Sequence, residues 1–472
     1  MPIETQNRKT DMTLIKSISG IRGTIGGKPA EGLSPLDVVK FVSAYSKQLQ
    51  NKFGNKKLKV VLGRDARISG PMVSNLVIGT LNSMGIDVID LGLSTTPTVE
   101  MAVSDYKANG GVILTASHNP KQWNALKLLN EKGEFISGAE GVELLDIAER
   151  EDFEYVGVDH LGKLTHDHNA IKNHIQHIID LDMVDIEAIR KANFKVVLDA
   201  VNSTGGISIL PLLDALGVDE VIGLYTEATG EFPHNPEPLP EHLTEISSVV
   251  KKEDADVGFV VDPDVDRLAI IMENGEMFGE EYTLVAVADY ILQHTPGNTV
   301  SNMSSTRALR DVTESYNMSY SASAVGEVNV VEMMRKTNAV IGGEGNGGII
   351  YPELHSGRDA MVGIALFLTY LAKKQMKVSE LKATYPQYAI SKNKIQLSEA
   401  MDVDAILEGI AAKYKDYPVS TIDGVKIEIG KEWVHLRKSN TEPIIRIYSE
   451  SKSLKDAEQL AHKIMEEIKE LI

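Results

Sequence analysis

Apolar and polar positions along the chain follow two alternating rhythms. At Val38, Phe41, Val42, Tyr45 and Leu49 the apolar residues recur at intervals of three and four, which marks one buried face of a helix. Ser34-Pro35 ahead of them supplies an N-cap and a proline suited to the first turn. A second helix is expected from about Pro71 to Met84, stopping at Gly85, and a third starts at Thr96-Pro97-Thr98. Between them lie short continuous apolar runs at 58–62, 88–91 and 112–114, which read as buried strands. Strands alternating with helices imply an α/β domain with a largely parallel sheet. The pattern returns with strands at 194–199, 257–261, 299–302 and 338–342, and with a helix starting at Ser304. Lys59-Val-Val-Leu-Gly-Arg-Asp65 is echoed by Phe194-Lys-Val-Val-Leu-Asp199, a faint sign of repeated βα units.

From about residue 388 the rhythm changes. Short strands are expected at 424–429, 433–437 and 444–448, followed by a helix over 454–472 capped by Ser453 with Asp456 three residues on. Its apolar face is Ala457, Leu460, Ala461, Ile464 and Ile468. The fold class is α/β in four domains. Domains 1–161, 162–276 and 277–387 are α/β units with mixed, largely parallel sheets, and 388–472 is a small α+β domain.

Composition narrows the classes. The 472 residues are 43% hydrophobic and 24% charged, as in an ordinary protein with ample core. A formal net charge of −19 disfavours nucleic acid, whose phosphates need a basic face, but leaves room for a small anion held by a few arginines in a cleft. There is no cysteine, hence no disulfide framework and no thiolate metal site. The polar first residues lack the apolar core of a signal peptide, and no run reaches the length of a membrane span. The expectation is a cytoplasmic protein without a membrane partner, with monomer and dimer both open.

Four stretches carry chemistry. The strand at 112–114 runs into Thr115-Ala-Ser-His-Asn-Pro120, a polar loop at the carboxyl end of a strand, where α/β sheets bind ligands. Ser117 is expected exposed at that turn, with His118 beside it and Lys127 a little downstream; a turn serine is the plainer reading of Ser-His-Asn alone. Upstream, glycines flank Arg22, which could then face a phosphate. After the strand at 257–261, Asp262, Asp264 and Asp266 stand at alternate positions of a tight loop and can converge on one hard divalent cation. Gly343-Glu-Gly-Asn-Gly-Gly348 spells the dinucleotide fingerprint, but Ile349-Ile-Tyr-Pro352 follows it as an extended segment, whereas the fingerprint must open a helix. Val325–Asn329 reads as a loop. In the last domain, Arg437 with Ser439, Asn440, Thr441 and Arg446 forms a set of donors suited to a phosphate. His160, His166, His168, His174 and His177 crowd the end of the first domain and the helix after it. With no accompanying carboxylate–histidine pattern, they read as a solvated helix.

The wording of these stretches, Ser-Gly-Ile-Arg-Gly, Thr-Ala-Ser-His-Asn-Pro, Asp-Pro-Asp-Val-Asp-Arg, Gly-Glu-x-Asn-Gly and Arg-Lys-Ser-Asn-Thr-Glu-Pro, resembles in order the signatures of the α-D-phosphohexomutases, over about residues 12 to 472. That resemblance implies a last domain like the TATA-binding-protein fold and a central cleft to which each domain gives one loop. It implies a phosphoserine at Ser117 and magnesium held by Ser117, Asp262, Asp264 and Asp266. Lys127 is then the general acid/base, supported by His118 and Arg22. Glu344, Asn346, Glu327 and Arg267 fall on the sugar side, with the loop glycines admitting the ring. Arg437, Ser439, Asn440, Thr441 and Arg446 fall on the phosphate. The partner is a small phosphosugar, with a hexose 1,6-bisphosphate as intermediate or activator. Many bacterial members carry Gly-Glu-x-Ser-Gly-His in the sugar loop. Asn346 and Gly348 here replace its serine and histidine, as in the archaeal-type branch, which leaves glucose, mannose and glucosamine phosphates open with glucosamine preferred. Asp-x-Asp after an apolar strand also opens the haloacid-dehalogenase phosphatases, whose nucleophile would be Asp262 and which would leave the serine loop unexplained. A non-catalytic phosphosugar sensor is the third reading.

Overall fold

The computed structural model describes residues 12–17, 20–54, 56–397, 401–438 and 444–470. The chain divides into two compact units, Met1–Met277 with Leu354–Ala365, and Phe278–Glu353 with Leu366–Ile472.

The first unit holds two sheets. The larger has seven strands in the order Ile15–Ser17, Gly20–Thr24, Trp123–Leu129, Gly110–Leu114, Lys59–Arg64, Asp87–Leu93, Leu164–His166. Its last four strands are parallel neighbours, while the first four pair antiparallel, so the sheet is more evenly mixed than the alternation of elements implied. The second sheet has the order Leu268–Met272, Val257–Val261, Lys195–Asp199, Glu220–Leu224. The second unit holds a sheet in the order Tyr320–Ser323, Asn298–Asn302, Ala339–Glu344, Gly348–Ile350, and a five-stranded antiparallel sheet.

Three of these sheets share one plan. In each, a first strand (Lys59–Arg64, Lys195–Asp199, Asn298–Asn302) lies between the second and third, both parallel to it. The third then turns back into an antiparallel fourth. The faint echo between residues 59–65 and 194–199 falls on the first strands of two repeats. The turn between third and fourth strands is the serine loop in one repeat, the aspartate loop in the next and the Glu344 loop in the last.

Side-chain pattern explains the elements. Helix Pro35–Phe53 starts at Ser34, whose hydroxyl caps Asp37 while the Asp37 carboxylate returns to the Ser34 amide, a capping box worth roughly 1 kcal/mol. Val38, Phe41, Val42, Tyr45 and Leu49 are all buried along it. Helix Leu454–Lys469 buries the five apolar residues of its expected face and is capped by Ser453.

Three expectations are corrected. The helix expected from Ser304 begins at Ala308, because side chains take the amides before it: Asn302 binds that of Ser304, Glu281 that of Thr306 and Glu450 that of Arg307. Val325–Asn329 is not all loop, since helix Glu327–Thr337 opens inside it. The histidines are not one solvated group: His160, His166, His168 and His177 are exposed, but His174 is buried on helix Ala170–Ile179.

Candidate active site

Strand Gly110–Leu114 delivers the serine loop, and Arg67 shapes it. Arg67 is fully buried and donates to four backbone carbonyls of the loop, those of Ser117, Asn119, Pro120 and Trp123, while its Nε pairs with Asp65 at 3.0 Å. Phe232 lies over its guanidinium, 5.1 Å from the ring centre. Asp65 also accepts the Thr115 hydroxyl at 2.7 Å, and that hydroxyl in turn accepts the Ser117 amide at 2.9 Å. These bonds hold Ser117 at a φ of 47°, a left-handed conformation costing a non-glycine residue about 1–3 kcal/mol. Ser117 is therefore not the exposed turn residue expected. It is 8% exposed, and its Oγ donates to Asp262 Oδ2 at 2.6 Å.

The aspartate loop follows strand Val257–Val261 and is similarly constrained. Val265, a β-branched residue, has a φ of 62°, fixed by amide bonds from Val265 to Asp262 and from Ala360 to Val265. The turn wraps the Asp262 carboxylate, whose Oδ1 accepts the amides of Asp266 and Arg267. Asp264 Oδ2 accepts the Thr96 hydroxyl at 2.6 Å and Lys127 Nζ at 2.8 Å. Asp266 Oδ2 accepts Arg358 at 2.6 Å and lies 3.6 Å from Lys127.

All three aspartates are fully buried and offer oxygens within 4.8 Å of one another. Among the described residues, Asp264 Oδ1 and Asp266 Oδ1 have no hydrogen-bond partner. Buried carboxylate oxygens without donors are costly, and an all-oxygen set fits a hard divalent cation. The residues present therefore fit the expected metal, with Ser117 Oγ as a further oxygen at the same place.

The charges explain the protonation states. Burial, then the neighbouring Asp266 and Asp264, push the Asp262 carboxyl well above its ordinary range. Burial works the same way on Asp264, but Lys127 outweighs it and holds that carboxyl below its usual range. Burial would lower the Lys127 ammonium; Asp264 and Asp266 overcome it and raise it to about 12. Burial, reinforced by Arg267, keeps the His118 imidazole neutral, with Nδ1 3.4 Å from Ser117 Oγ. Burial and Arg267 also lower Arg22, which sits on strand Gly20–Thr24 opposite Ala125. Arg267 itself lies 3.9 Å from both Glu237 and Asp266. The structure thus gathers Ser117, His118, Lys127, Asp262, Asp264 and Asp266 and sets Arg267 and Arg22 beside them.

The second unit carries the remaining candidates. Glu344 ends strand Ala339–Glu344; its Oε1 accepts Asn302 Nδ2 at 2.8 Å and the Gly326 amide at 3.0 Å. Glu327 is buried at the start of its helix. Asn346 spends its side-chain oxygen on the Gly348 amide inside the turn. An antiparallel strand, not a helix, follows, so the dinucleotide fingerprint is coincidental. At Gly345 packing also requires the glycine, since a Cβ there would lie 1.9 Å from the Glu281 carboxylate. Arg437 and Arg446 face one another across strands Glu432–Lys438 and Ile444–Ser451, and Arg437 pairs with Asp423 at 2.9 Å. Ser439, Asn440 and Thr441 lie outside the described residues.

Sequence reasoning passed over Arg67, Asp65, Thr96 and Arg358. The available signal was charge inside otherwise apolar context: Gly63-Arg-Asp-Ala-Arg67 closes a buried strand, and Arg358-Asp359 precedes an apolar helix.

Models of this family match the chain in four consecutive pieces, described as phosphoglucomutase/phosphomannomutase α/β/α domain I over residues 14–155, domain II over 172–275, domain III over 279–388 and the C-terminal domain over 393–467. The chain belongs to the phosphoglucomutase/phosphomannomutase family. Its enzyme class is that of the phosphohexomutases. A Thermococcus kodakarensis protein named phosphoglucomutase/phosphomannomutase is 35% identical over 454 residues, covering 94% of this chain and 98% of the relative. A Sulfurisphaera tokodaii phosphoglucosamine/phosphogalactosamine mutase is 33% identical over 464 residues, with 96% and 98% covered. A Burkholderia thailandensis phosphoglucomutase/phosphomannomutase family structure superposes with a TM-score of 0.83 at 25% identity, covering 97% of this chain and 96% of that one. Among the described residues no helix is long and apolar enough to cross a membrane.

Proposed function

We propose that this phosphohexomutase interconverts the 6- and 1-phosphates of a hexosamine or hexose through a phosphoserine at Ser117 and a hexose 1,6-bisphosphate. The observation that carries the reading is the 2.6 Å contact from Ser117 Oγ to Asp262, made from a left-handed turn that Arg67 and Thr115 hold in place. A phosphoryl group on that oxygen would stand over the triad and near Lys127. Phosphoryl transfer has a loose transition state, so positioning and charge neutralisation do most of the work. Magnesium bound by the three aspartates and the serine oxygen supplies part of that neutralisation when present.

The chain's own groups do the rest. Lys127, an ammonium at rest, gives its proton to the sugar oxygen released in one half-reaction and, as the free amine, takes the proton of the sugar hydroxyl that attacks in the other. The ammonium that Asp264 and Asp266 favour supplies the acid half of that exchange. His118, neutral, hydrogen-bonds at the serine, and Arg22 and Arg267 add positive charge. Glu344 reads sugar hydroxyls with Glu327 and Asn346 beside it. Arg437 and Arg446, with Ser439, Asn440 and Thr441, grip the phosphate that is not reacting. Arg437 and Arg446 stand directly opposite on neighbouring strands, so an anion beside them can meet two guanidinium groups at once.

Glucosamine phosphate is the proposed best substrate, a preference in line with the phosphoglucosamine/phosphogalactosamine mutase relative, while a sugar loop that keeps its glutamate but lacks the histidine leaves the pocket open to other hexose phosphates. The phosphatase reading makes Asp262 the nucleophile and gives no role to Ser117, whose Oγ reaches Asp262 from a constrained left-handed turn. The sensor reading has no support, since every catalytic position is filled.

The test is peptide mapping of protein incubated with a hexose 1,6-bisphosphate. Phosphate on Ser117 is the expected result, and phosphate on Asp262 overturns the reading.

A further inference from the structure

Outside the serine site, the first unit contains a second buried cluster of metal-ligating side chains. His174 comes from helix Ala170–Ile179, His355 and Asp359 from the segment before helix Ala360–Lys374, and Glu100 from helix Thr96–Asp105. His174 and Asp359 are 1% and 0% exposed, and Glu100 is 1% exposed. We propose that His174, His355 and Asp359 bind a divalent cation of the zinc class, through an imidazole nitrogen from each histidine and Asp359 Oδ2.

Geometry carries the assignment. Two imidazole nitrogens converge on one carboxylate oxygen: His174 Nε2 lies 2.9 Å and His355 Nε2 3.3 Å from Asp359 Oδ2. Two ligand atoms on one tetrahedral zinc, with bonds of about 2.0 Å, stand roughly 3.3 Å apart. The ligand atoms of all three residues fall within 4.8 Å of one another. Imidazole with carboxylate selects a borderline cation such as zinc over magnesium or calcium, which prefer oxygen alone.

The outer contacts are those of a metal site as well. A ligating histidine needs its other ring nitrogen fixed by an acceptor. His174 Nδ1 is 2.9 Å from the Thr98 hydroxyl, and His355 Nδ1 is 3.4 Å from Glu100 Oε2, without a formed hydrogen bond. Asp359 Oδ1 accepts the amides of Met361 and Val362, which leaves Oδ2 for the cation. Gly357 lets the segment close on the cluster, since a Cβ there would lie 1.8 Å from Glu100 Oε2. Binding would tie helix Ala170–Ile179 to the segment holding His355 and Asp359, next to Arg358, the partner of Asp266. The cation is thus a staple beside the active site and takes no part in phosphoryl transfer.

The experiment uses the full chain, stripped with a chelator and titrated with Co²⁺. Imidazole-ligated cobalt of low coordination number absorbs visible light intensely, whereas cobalt in an all-oxygen octahedral site does so weakly. One equivalent with the intense band, displaced by Zn²⁺ with a rise in Tm, is expected for wild type, and the band is lost in His355→Gln and His174→Gln. A wild type that takes up Co²⁺ without the intense band overturns the proposal, as does a band that survives in both variants. Should the variants fold poorly, anomalous scattering at the zinc edge from zinc-soaked wild-type crystals decides. A peak between His174 and His355 supports the site, and zinc found only at the aspartate triad overturns it.

Discussion

The guanidinium of Arg67 and the carbonyl oxygen of Ser117 are joined by a buried hydrogen bond, one of four that Arg67 gives to the same loop. No contact by Arg67 to a reacting atom is needed for it to matter: it fixes where the serine backbone turns, and the turn fixes where Oγ points. Arg67→Lys would keep the charge but lose the planar fork that reaches four carbonyls. Buried Asp65 keeps a partner in that variant and loses it in Arg67→Ala, where breaking the pair costs roughly 3–5 kcal/mol. The expected outcome is a folded Arg67→Lys protein with kcat lowered about 100-fold, since a misplacement of about 1 Å is enough for that, and an Arg67→Ala protein that is markedly destabilised. Steady-state kinetics with thermal melts check both, and full kcat in Arg67→Lys would remove the positioning role.

Activity should require a divalent cation at the aspartate loop. Chelation is expected to abolish turnover and magnesium to restore it in wild type. Asp264→Asn removes one of the two orphaned oxygens' charges and the strongest partner of Lys127. The variant should need far more magnesium for half-maximal rate, and its Lys127 should be easier to deprotonate because the attraction that raises it is cut. A magnesium titration of initial rate is the measurement; an unchanged curve would mean that the cation binds elsewhere.

Glu344 is expected to serve all sugars alike. It is buried, and its Oε1 already holds Asn302 and the Gly326 amide, so Glu344→Gln is the informative change and Glu344→Ala leaves donors unpaired at roughly 1–3 kcal/mol. Glu344→Gln should lower kcat/KM for glucosamine, glucose and mannose phosphates by a similar factor. Gly348→His should change the ratio between them more than the sum. The three kcat/KM values in wild type and both variants decide; strict activity on one sugar in wild type would refute a permissive pocket.

Much of this was legible in local sequence. The stripe from Val38 to Leu49 and the face from Ala457 to Ile468 are buried as read, because helix periodicity is a property of neighbours. Asp262, Asp264 and Asp266 meet because a tight turn after a strand leaves them little choice. What escaped depends on distant partners. Ser117 is buried and left-handed because of Arg67, 50 residues away. His174 looked like one more solvated histidine, yet its burial comes from Asp359, 185 residues on. Glu327 starts a helix where glycine and valine suggested only a loop.

His435 gives the protein a defined sensitivity to acid. It is 1% exposed, its Nε2 meets the Asp423 carbonyl at 2.6 Å, and its Nδ1 meets the Ser304 hydroxyl at 3.0 Å. Burial first, with a smaller contribution from Lys426, lowers its pKa to about 4, although the Asp423 carbonyl pulls the other way. In the unfolded chain the imidazole takes a proton near 6.5. Between about 6.5 and about 4 the unfolded state therefore binds a proton that the folded state does not, and stability falls as pH falls. Below about 4 both states are protonated and the loss levels off. A gap of this size corresponds to a few kcal/mol, at 1.36 kcal/mol per unit. Asp423 also pairs with Arg437, so the same event loosens a proposed phosphate ligand. His435→Gln has no such proton to bind. Its stability relative to wild type should rise as pH drops from 6.5 to 4 and stay flat above 7. Urea denaturation of both proteins across that range is the check, and parallel curves would mean that folding does not shift the His435 imidazole.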